Sequence, residues 1–451
     1  MAKSKMMKDE VSPRVLSRSE DPKTMNSRMC SLRSTERILW IVVATLASPL
    51  LCLSDDFSFS GHIKYQPTLS FLPSDTFERD LGPDVVHGQQ VDLRVNTEYR
   101  KEKFAASLHG ETLALGGTAV ELKRNRQLLF PGQNASRLDD HRRFFDLSHQ
   151  STSDDQFEMF HRIDRAELGY YGDQFVSRIG RQTFSAGNGL AFQVLDLLNP
   201  FSPTEIDKDY KTGEDLFYTE YLLGQENRIE TVVAPGRDLR GNVSHEESSY
   251  AVVVHSSTSD GSSDFQFLAA EHYRDWNFGL GSSTDVSESV LRVDLLFTRG
   301  KEEDTDWSTS LVGNIDTSWT VFGLNAYSYL EYYRNGFGIA NKRYREADEA
   351  LLTRLDRGEI FVLGRDLVSL GGRLEISPLW SLFVNQILSV NDGSQIHQTR
   401  AEYNLAQDML LLIGATIPFG GNGTEFGGYS IQPGIDFAPA SQLYLRLSYF
   451  F

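Results

Sequence analysis

The sequence repeatedly sets an arginine two positions ahead of a carboxylate, as in Arg165-Ala-Glu167, Arg228-Ile-Glu230, Arg292-Val-Asp294, Arg373-Leu-Glu375 and Arg400-Ala-Glu402. Asp92-Leu-Arg94 repeats the arrangement in reverse, and the residue between is apolar each time. A spacing of two puts both charges on one side of a β-strand and the apolar residue on the other. With Glu98, Glu331 and Arg446 added, the charged sides make an ionic lining. Such pairs can stiffen a wet wall, contributing about 0–1 kcal/mol each. An ordered lining also sets a field that sorts charged solutes. Covalent catalysis would need a nucleophile, a base and an orienting group brought together. The histidines His109, His161, His255 and His272 are scattered instead, and neither a metal site nor a cofactor is implied. The acidic runs 301–306 and 205–215 read as solvated loop tips, with divalent-cation binding as the alternative.

The elements that must carry these charges are strands of about ten residues with one apolar face. In 91–99, Val91, Leu93, Val95, Thr97 and Tyr99 share a face opposite Asp92, Arg94, Asn96 and Glu98. In 289–297, Leu291, Val293, Leu295 and Phe297 oppose Arg292 and Asp294. No stretch after residue 54 is long and apolar enough for a membrane-spanning helix of about 20 residues. Repeated alternation, with short turns such as 100–103, 172–173, 378–379 and 406–408 set against long connections at 72–87, 117–156, 185–213, 235–247, 334–364 and 418–441, is the pattern of a transmembrane antiparallel β-barrel. The fold expected is all-β and up-and-down. A first count gives nineteen strands, and both ends on one side of a membrane require an even number. Segment 428–439, with Pro433, Pro439 and extra glycines, is therefore read as external loop, leaving eighteen, with sixteen as the alternative.

The start of the chain fits export. Arg33 and Arg37 precede an apolar run at 38–53 and then acid, so 1–54 reads as an N-terminal extension with a cleaved signal peptide and 55–451 as the barrel. Removal takes nine basic and five acidic residues from totals of 44 and 62, leaving 35 against 57, a net charge of −22. It also removes Cys30 and Cys52, so no disulfide, thiolate metal site or thiol chemistry remains. At the other end Leu443, Leu445, Leu447, Tyr449 and Phe451 alternate to the last residue. This reads as the strand that closes the barrel on 57–71. Its terminal aromatic resembles the tail read by the outer-membrane barrel assembly machinery. Outer-membrane lipid and lipopolysaccharide are the other expected partners; nucleic acid is not one.

The place expected for a narrowing is the connection 185–213. Gly187, Gly189 and Asn199-Pro200 permit a compact loop, and its apolar centre (Leu190, Phe192, Val194, Leu195, Leu197, Leu198) asks for burial. Arg178 and Arg181 before it are three apart, so both face inward only if a bulge at Gly180 reconciles them. The stretch 162–215, with "GRQ" at 180–182 followed by a loop holding Asp196 and Asn199-Pro200, resembles the alginate-export porins of the outer membrane. The resemblance implies an eighteen-stranded channel conducting an anionic polymer or smaller anions. It also marks Arg181, Gln182, Asp196 and Asn199, beside Arg178, as constriction residues, and implies that Arg181→Glu shifts selectivity toward cations. The inward charges here are nearly balanced, where those exporters are richly basic, so a general porin fits as well. A surface hydrolase or a filled adhesin-type barrel are the readings from other classes.

Overall fold

The computed structural model describes residues 56–129, 140–300, 306–432 and 435–451. The expected signal peptide and most of the 301–306 acidic run lie outside the described residues. Twenty-one strands follow in order: β1 (Phe57–Phe71), β2 (Val85–Lys101), β3 (Phe104–Gly116), β4 (Ser148–Asp154), β5 (Phe157–Tyr171), β6 (Phe175–Gln182), β7 (Glu214–Leu223), β8 (Asn227–Arg237), β9 (Val243–Ser257), β10 (Ser263–His272) and β11 (Asp275–Val286). Then come β12 (Ser289–Arg299), β13 (Ser308–Val321), β14 (Leu324–Arg334), β15 (Asp366–Ser377), β16 (Trp380–Ser389), β17 (Gln395–Ala406), β18 (Met409–Phe419), β19 (Tyr429–Gln432), β20 (Ile435–Phe437) and β21 (Ser441–Phe450). Three helices lie in connections: α1 (Phe77–Leu81), α2 (Thr118–Leu129) and α3 (Glu349–Arg357).

Neighbouring strands pair antiparallel. β3 skips β4 to pair with β5, β18 skips β19 and β20 to pair with β21, and β21 returns to β1 with Tyr449 opposite Ile63. Eighteen strands thereby close into a ring, as the sequence parity requires. β19 and β20 form a hairpin of their own, so 428–439 lies outside the barrel ladder. β4 extends the wall locally: it pairs with the 157–162 half of β5, while β6 pairs with the 166–171 half.

Exposed large apolar side chains cover the outside of the ring, among them Leu108, Leu168, Ile179, Phe267, Leu280, Ile315, Leu370, Ile413 and Leu443. A closed barrel with such an exterior satisfies every backbone group internally, which is what hydrocarbon demands. Outward aromatic pairs gather toward the end that carries Phe451: Phe57 with Tyr99 at 4.6 Å, Phe104 with Tyr170 at 5.4 Å, and Trp380 with Tyr403 at 4.5 Å. Amphipathic rings favour such interfacial depths.

At that end the connections are short, as at 102–103, 287–288, 322–323 and 378–379; at the other, 72–84, 117–147, 183–213, 335–365 and 420–440 are long. The long connection expected at 235–247 is corrected. β8 runs to Arg237 and β9 resumes at Val243, because a register shift between Ala234 and Gly236 takes Pro235, which has no N–H to donate, out of the ladder.

Candidate functional site

Between β6 and β7, residues 183–213 contact the inward faces of strands around most of the ring; this segment is the inner loop. Gly187 N donates to Gln266 Oε1 on β10 (2.9 Å), and Asn188 donates from its backbone N (2.5 Å) and Nδ2 (2.8 Å) to Asp294 on β12. Leu190, Ala191 and Phe192 donate three consecutive backbone N–H groups to the carboxylate of Glu331 on β14, at 2.7, 3.0 and 2.8 Å. Phe192 stacks on Tyr333 with ring centres 4.3 Å apart. The loop then reaches β17, where Gln398 Nε2 donates to Thr204 O (2.9 Å). Asp207 and Asp209 meet Lys64 of β1 at 2.8 and 2.6 Å, and Arg446 of β21 lies 3.0 Å from Asp207. Tyr210 lies flat under the Arg94 guanidinium of β2, 4.1 Å from the ring centre. Lys211 O accepts from Arg165 of β5 at 2.5 Å.

Apolar contacts hold the same segment down. Leu195 is fully buried among Leu216, Val232, Val253, Leu268 and Leu296 of the wall. It lies in a notch made by two glycines of β11: a Cβ on Gly279 would sit 2.6 Å from Leu195, and one on Gly281 3.2 Å. Ala191 and Phe192 pack against Val312, Tyr333, Leu367 and Ile387. Burial pushes the Asp196 carboxyl up to about 6 and lowers the Lys211 ammonium, against the attraction between the two. Burial also raises Asp207, but Arg446 and Lys64 outweigh it and hold that carboxyl below the ordinary range.

The arginine–acid dyads divide into two kinds. Arg228–Glu230 (3.0 Å), Arg373–Glu375 (3.2 Å) and Arg400–Glu402 (3.1 Å) pair within their own strands. The other two redirect. Arg165 pairs with Asp164 at 2.9 Å while Glu167 lies 3.7 Å from Arg178, because a register shift at His109/Gly110 brings Asp164 to the same side. Arg292 pairs with Asp316 at 2.6 Å, leaving Asp294 to the loop. The reversed dyad also separates: Asp92 accepts from His62 at 3.0 Å and Arg94 meets Asp164 at 2.5 Å. Glu98 lies 3.4 Å from His109, and Arg446 donates to Gln66 at 2.8 Å.

The expected constriction residues take different places in the structure, with Asn199 in the lining of a cavity on the long-connection side. Arg181 is 2 % exposed and has no open face to a bore. It donates to Asp215 (2.9 Å from both Nε and Nη2), to Asp140, to Phe145 O (2.7 Å) and to Ile163 O (3.2 Å). It thus seals the wall where β4 replaces β6 beside β5. Gln182 is buried and donates to Leu216 O at 3.2 Å. Arg178 lies 4.3 Å from the centre of the Tyr218 ring. Asp196 is clasped by Lys211, and Asn199 donates to Glu214 at 2.6 Å. Gly180 has a φ of 116°, a left-handed backbone at the point where a bulge is expected, while the ladders on both sides keep their register. The acidic run 205–215 is a correction too: Asp207 and Asp209 are ion-paired inside the barrel. Lys64, Lys208 and Lys211 escape the sequence pattern, since none belongs to an arginine–acid dyad; Asp164 stands in a further one, Arg162-Ile-Asp164, beyond those named above. The apolar loop centre is the signal that this segment is internal.

Several cavities border the inner loop, and two of them lie on its opposite sides. One, of about 820 Å³, lies on the side of Phe451 and is lined by Glu205, Lys208, Tyr327, Arg373, Phe383 and Arg400 among others. The other, of about 150 Å³, lies on the long-connection side and is lined by Arg142, Arg143, Lys211, Glu214, Arg357 and Glu359 among others. Glu205 borders both.

A closed, lipid-facing barrel with a loop folded against its inner wall is the architecture of porins. No protein-family profile matches the sequence, and no curated protein sequence is significantly similar to it. Among solved structures, Pseudomonas aeruginosa OccK2 (OpdF), determined with glucuronate, matches over 88 % of this chain and 98 % of its own, with a TM-score of 0.50 at 8 % identity. Acinetobacter baumannii OccAB2 matches over the same shares, with a TM-score of 0.50 at 7 % identity. At that identity the likeness establishes the fold, an eighteen-stranded porin-type barrel.

Proposed function

We propose that this chain is a diffusion channel of a Gram-negative outer membrane, passing small hydrophilic and charged solutes alongside the inner loop. The observation that carries the reading is the pair of cavities on either side of the inner loop, with Glu205 lining both, inside a barrel whose inward face is polar and ionic toward Phe451. The porins that share the fold, OccK2 among them, support it. An acidic polysaccharide, the cargo that the resemblance over 162–215 implies, needs an opening that a polymer can thread. The fastening of the loop to β1, β12, β14, β17 and β21 favours short solutes instead. On this reading bilayer lipid and lipopolysaccharide surround the apolar exterior, and the assembly machinery reads β21 with its terminal Phe451.

Purified protein in a planar bilayer tests this. Stepwise conductance with a defined reversal potential in a salt gradient is expected. Folded insertion without conductance favours a filled structural barrel, and turnover of lipid or peptide by the pure protein favours a surface enzyme.

A further inference from the structure

Most charges around the 820 Å³ cavity are matched: Arg373 by Glu375 and Arg400 by Glu402. Lys208 is not. It leaves the inner loop exposed to that cavity, and among the described residues no carboxylate lies within 4 Å of its ammonium. Its chain neighbours are engaged elsewhere, Asp207 by Lys64 and Arg446, and Asp209 by Lys64. Next to it in the lining is Arg400, whose guanidinium is 4.3 Å from the centre of the Phe383 ring, with Arg373 5.4 Å from the same ring. Tyr327, Tyr329 and Tyr444 continue the wall, and Asn385 and Gln398 add amides.

We propose that Lys208, Arg400 and Phe383 form a subsite for an organic anion that carries a ring, on the Phe451 side of the inner loop. The inference rests on the channel reading and gives it a substrate class. Lys208 takes the carboxylate as a point charge, and the Arg400–Phe383 stack offers a flat face to the ring. The volume suits a molecule of one or two rings, since small-molecule sites span about 300–1,000 Å³. The ammonium faces the cavity near Arg400, and a bound anion relieves the repulsion between the two cations. Burial, with Arg400 adding to it and Glu205 and Glu331 opposing, lowers the Lys208 pKa, so a bound carboxylate also strengthens its hold on the proton.

The test is block of single-channel chloride current by benzoate, cyclohexanecarboxylate and acetate, each added from either side. The expected order is benzoate, then cyclohexanecarboxylate, then acetate, with stronger block from the Phe451 side. Lys208→Gln should weaken benzoate block at least fivefold. Phe383→Leu should remove the advantage of benzoate over acetate, and Lys103→Gln, at an exposed turn, should change nothing. Unchanged benzoate block in Lys208→Gln, or equal block by all three acids, overturns the subsite while leaving the channel intact. If the wild type carries no current, the channel reading has failed. Calorimetric titration of benzoate into detergent-solubilised wild type and Lys208→Gln then decides the subsite alone: binding lost in the variant supports it, and equal or absent binding overturns it.

Discussion

Lys211 and Asp196 clasp the neck of the inner loop: the ammonium donates to Asp196 Oδ2 at 2.5 Å and Oδ1 at 2.7 Å. The same ammonium donates to Ser185 Oγ at 2.9 Å and to Phe184 O. One side chain at the exit thus binds the loop's entry and its middle. Removing one member of a buried pair destabilises by about 3–5 kcal/mol, because the partner's charge is left unmatched. Lys211→Met should release the loop while the strand ladders persist. The expected result is an unchanged barrel by circular dichroism, with single-channel conductance at least doubled. The double variant Asp196→Asn/Lys211→Met, which leaves no orphan charge, should recover part of the wild-type conductance.

The Leu195 notch sets a steric condition. Gly279 and Gly281 leave room on the inward face of β11 that no larger residue can. Overpacking of this kind typically costs about 1–3 kcal/mol. At Gly281 an added Cβ would also lie 2.9 Å from the Asp294 carboxylate, so two loop attachments weaken together. Gly281→Val should raise conductance and current noise, and Gly281→Ala should do so less. Unchanged noise in Gly281→Val would show that Leu195 does not hold the loop.

Arg181 shows where the sequence pattern misleads. Read along β6 alone, it is one more arginine near a narrowing, and Arg181→Glu ought to reverse selectivity. In three dimensions it bonds two carboxylates, Asp140 and Asp215, and two backbone carbonyls. Arg181→Glu puts a third carboxylate there and orphans both carbonyls. The expected outcome is loss of folded barrel, seen as loss of heat-modifiable migration in gels. A folded variant with inverted selectivity would contradict this assignment.

The same contrast explains what was legible. A period of two, turn chemistry and parity foretell the ring, because strand alternation is local and closure only counts strands. The apolar centre of 185–213 foretells an internal loop, because such a patch must be buried somewhere. Partners were not legible. The pairing of Arg165 with Asp164 follows from a register shift, and Asp294 turns from Arg292 to Asn188 because a loop 106 residues distant arrives there. Lys208 belongs to no dyad, and its isolation is defined only by what Lys64 and Arg446 do to its neighbours.

The mouth of the barrel is expected to respond to pH through two carboxyls in the long connections, Glu359 and Glu425. Glu425 accepts from Leu363 N at 2.5 Å and from Gly364 N at 2.9 Å, joining connection 420–440 to 335–365. Glu359 lies among Arg354, Arg357 and Asp275; Arg354 reaches Asp275 and Arg357 reaches Glu247, 3.9 Å away, tying α3 to the opposite rim. Burial pushes Glu425 up to about 7 against its two backbone donors, with Asp392 adding to the rise. Burial likewise pushes Glu359 up to about 7 against Arg354 and Arg357. Undocked, both revert toward the ordinary 4.5. Between these values the docked mouth holds more protons than the undocked one, so docking weakens as pH rises from about 4.5 to about 7 and then levels off. Openings should therefore be rarer at pH 5 than at pH 8, and trypsin should cut connection 335–365 more slowly at pH 5 once its own pH dependence is corrected with an unfolded substrate. Glu425→Gln/Glu359→Gln should hold the mouth docked at both pH values. Faster openings at pH 5 in the wild type, or a pH response undiminished in the double variant, would remove these two residues from the gate.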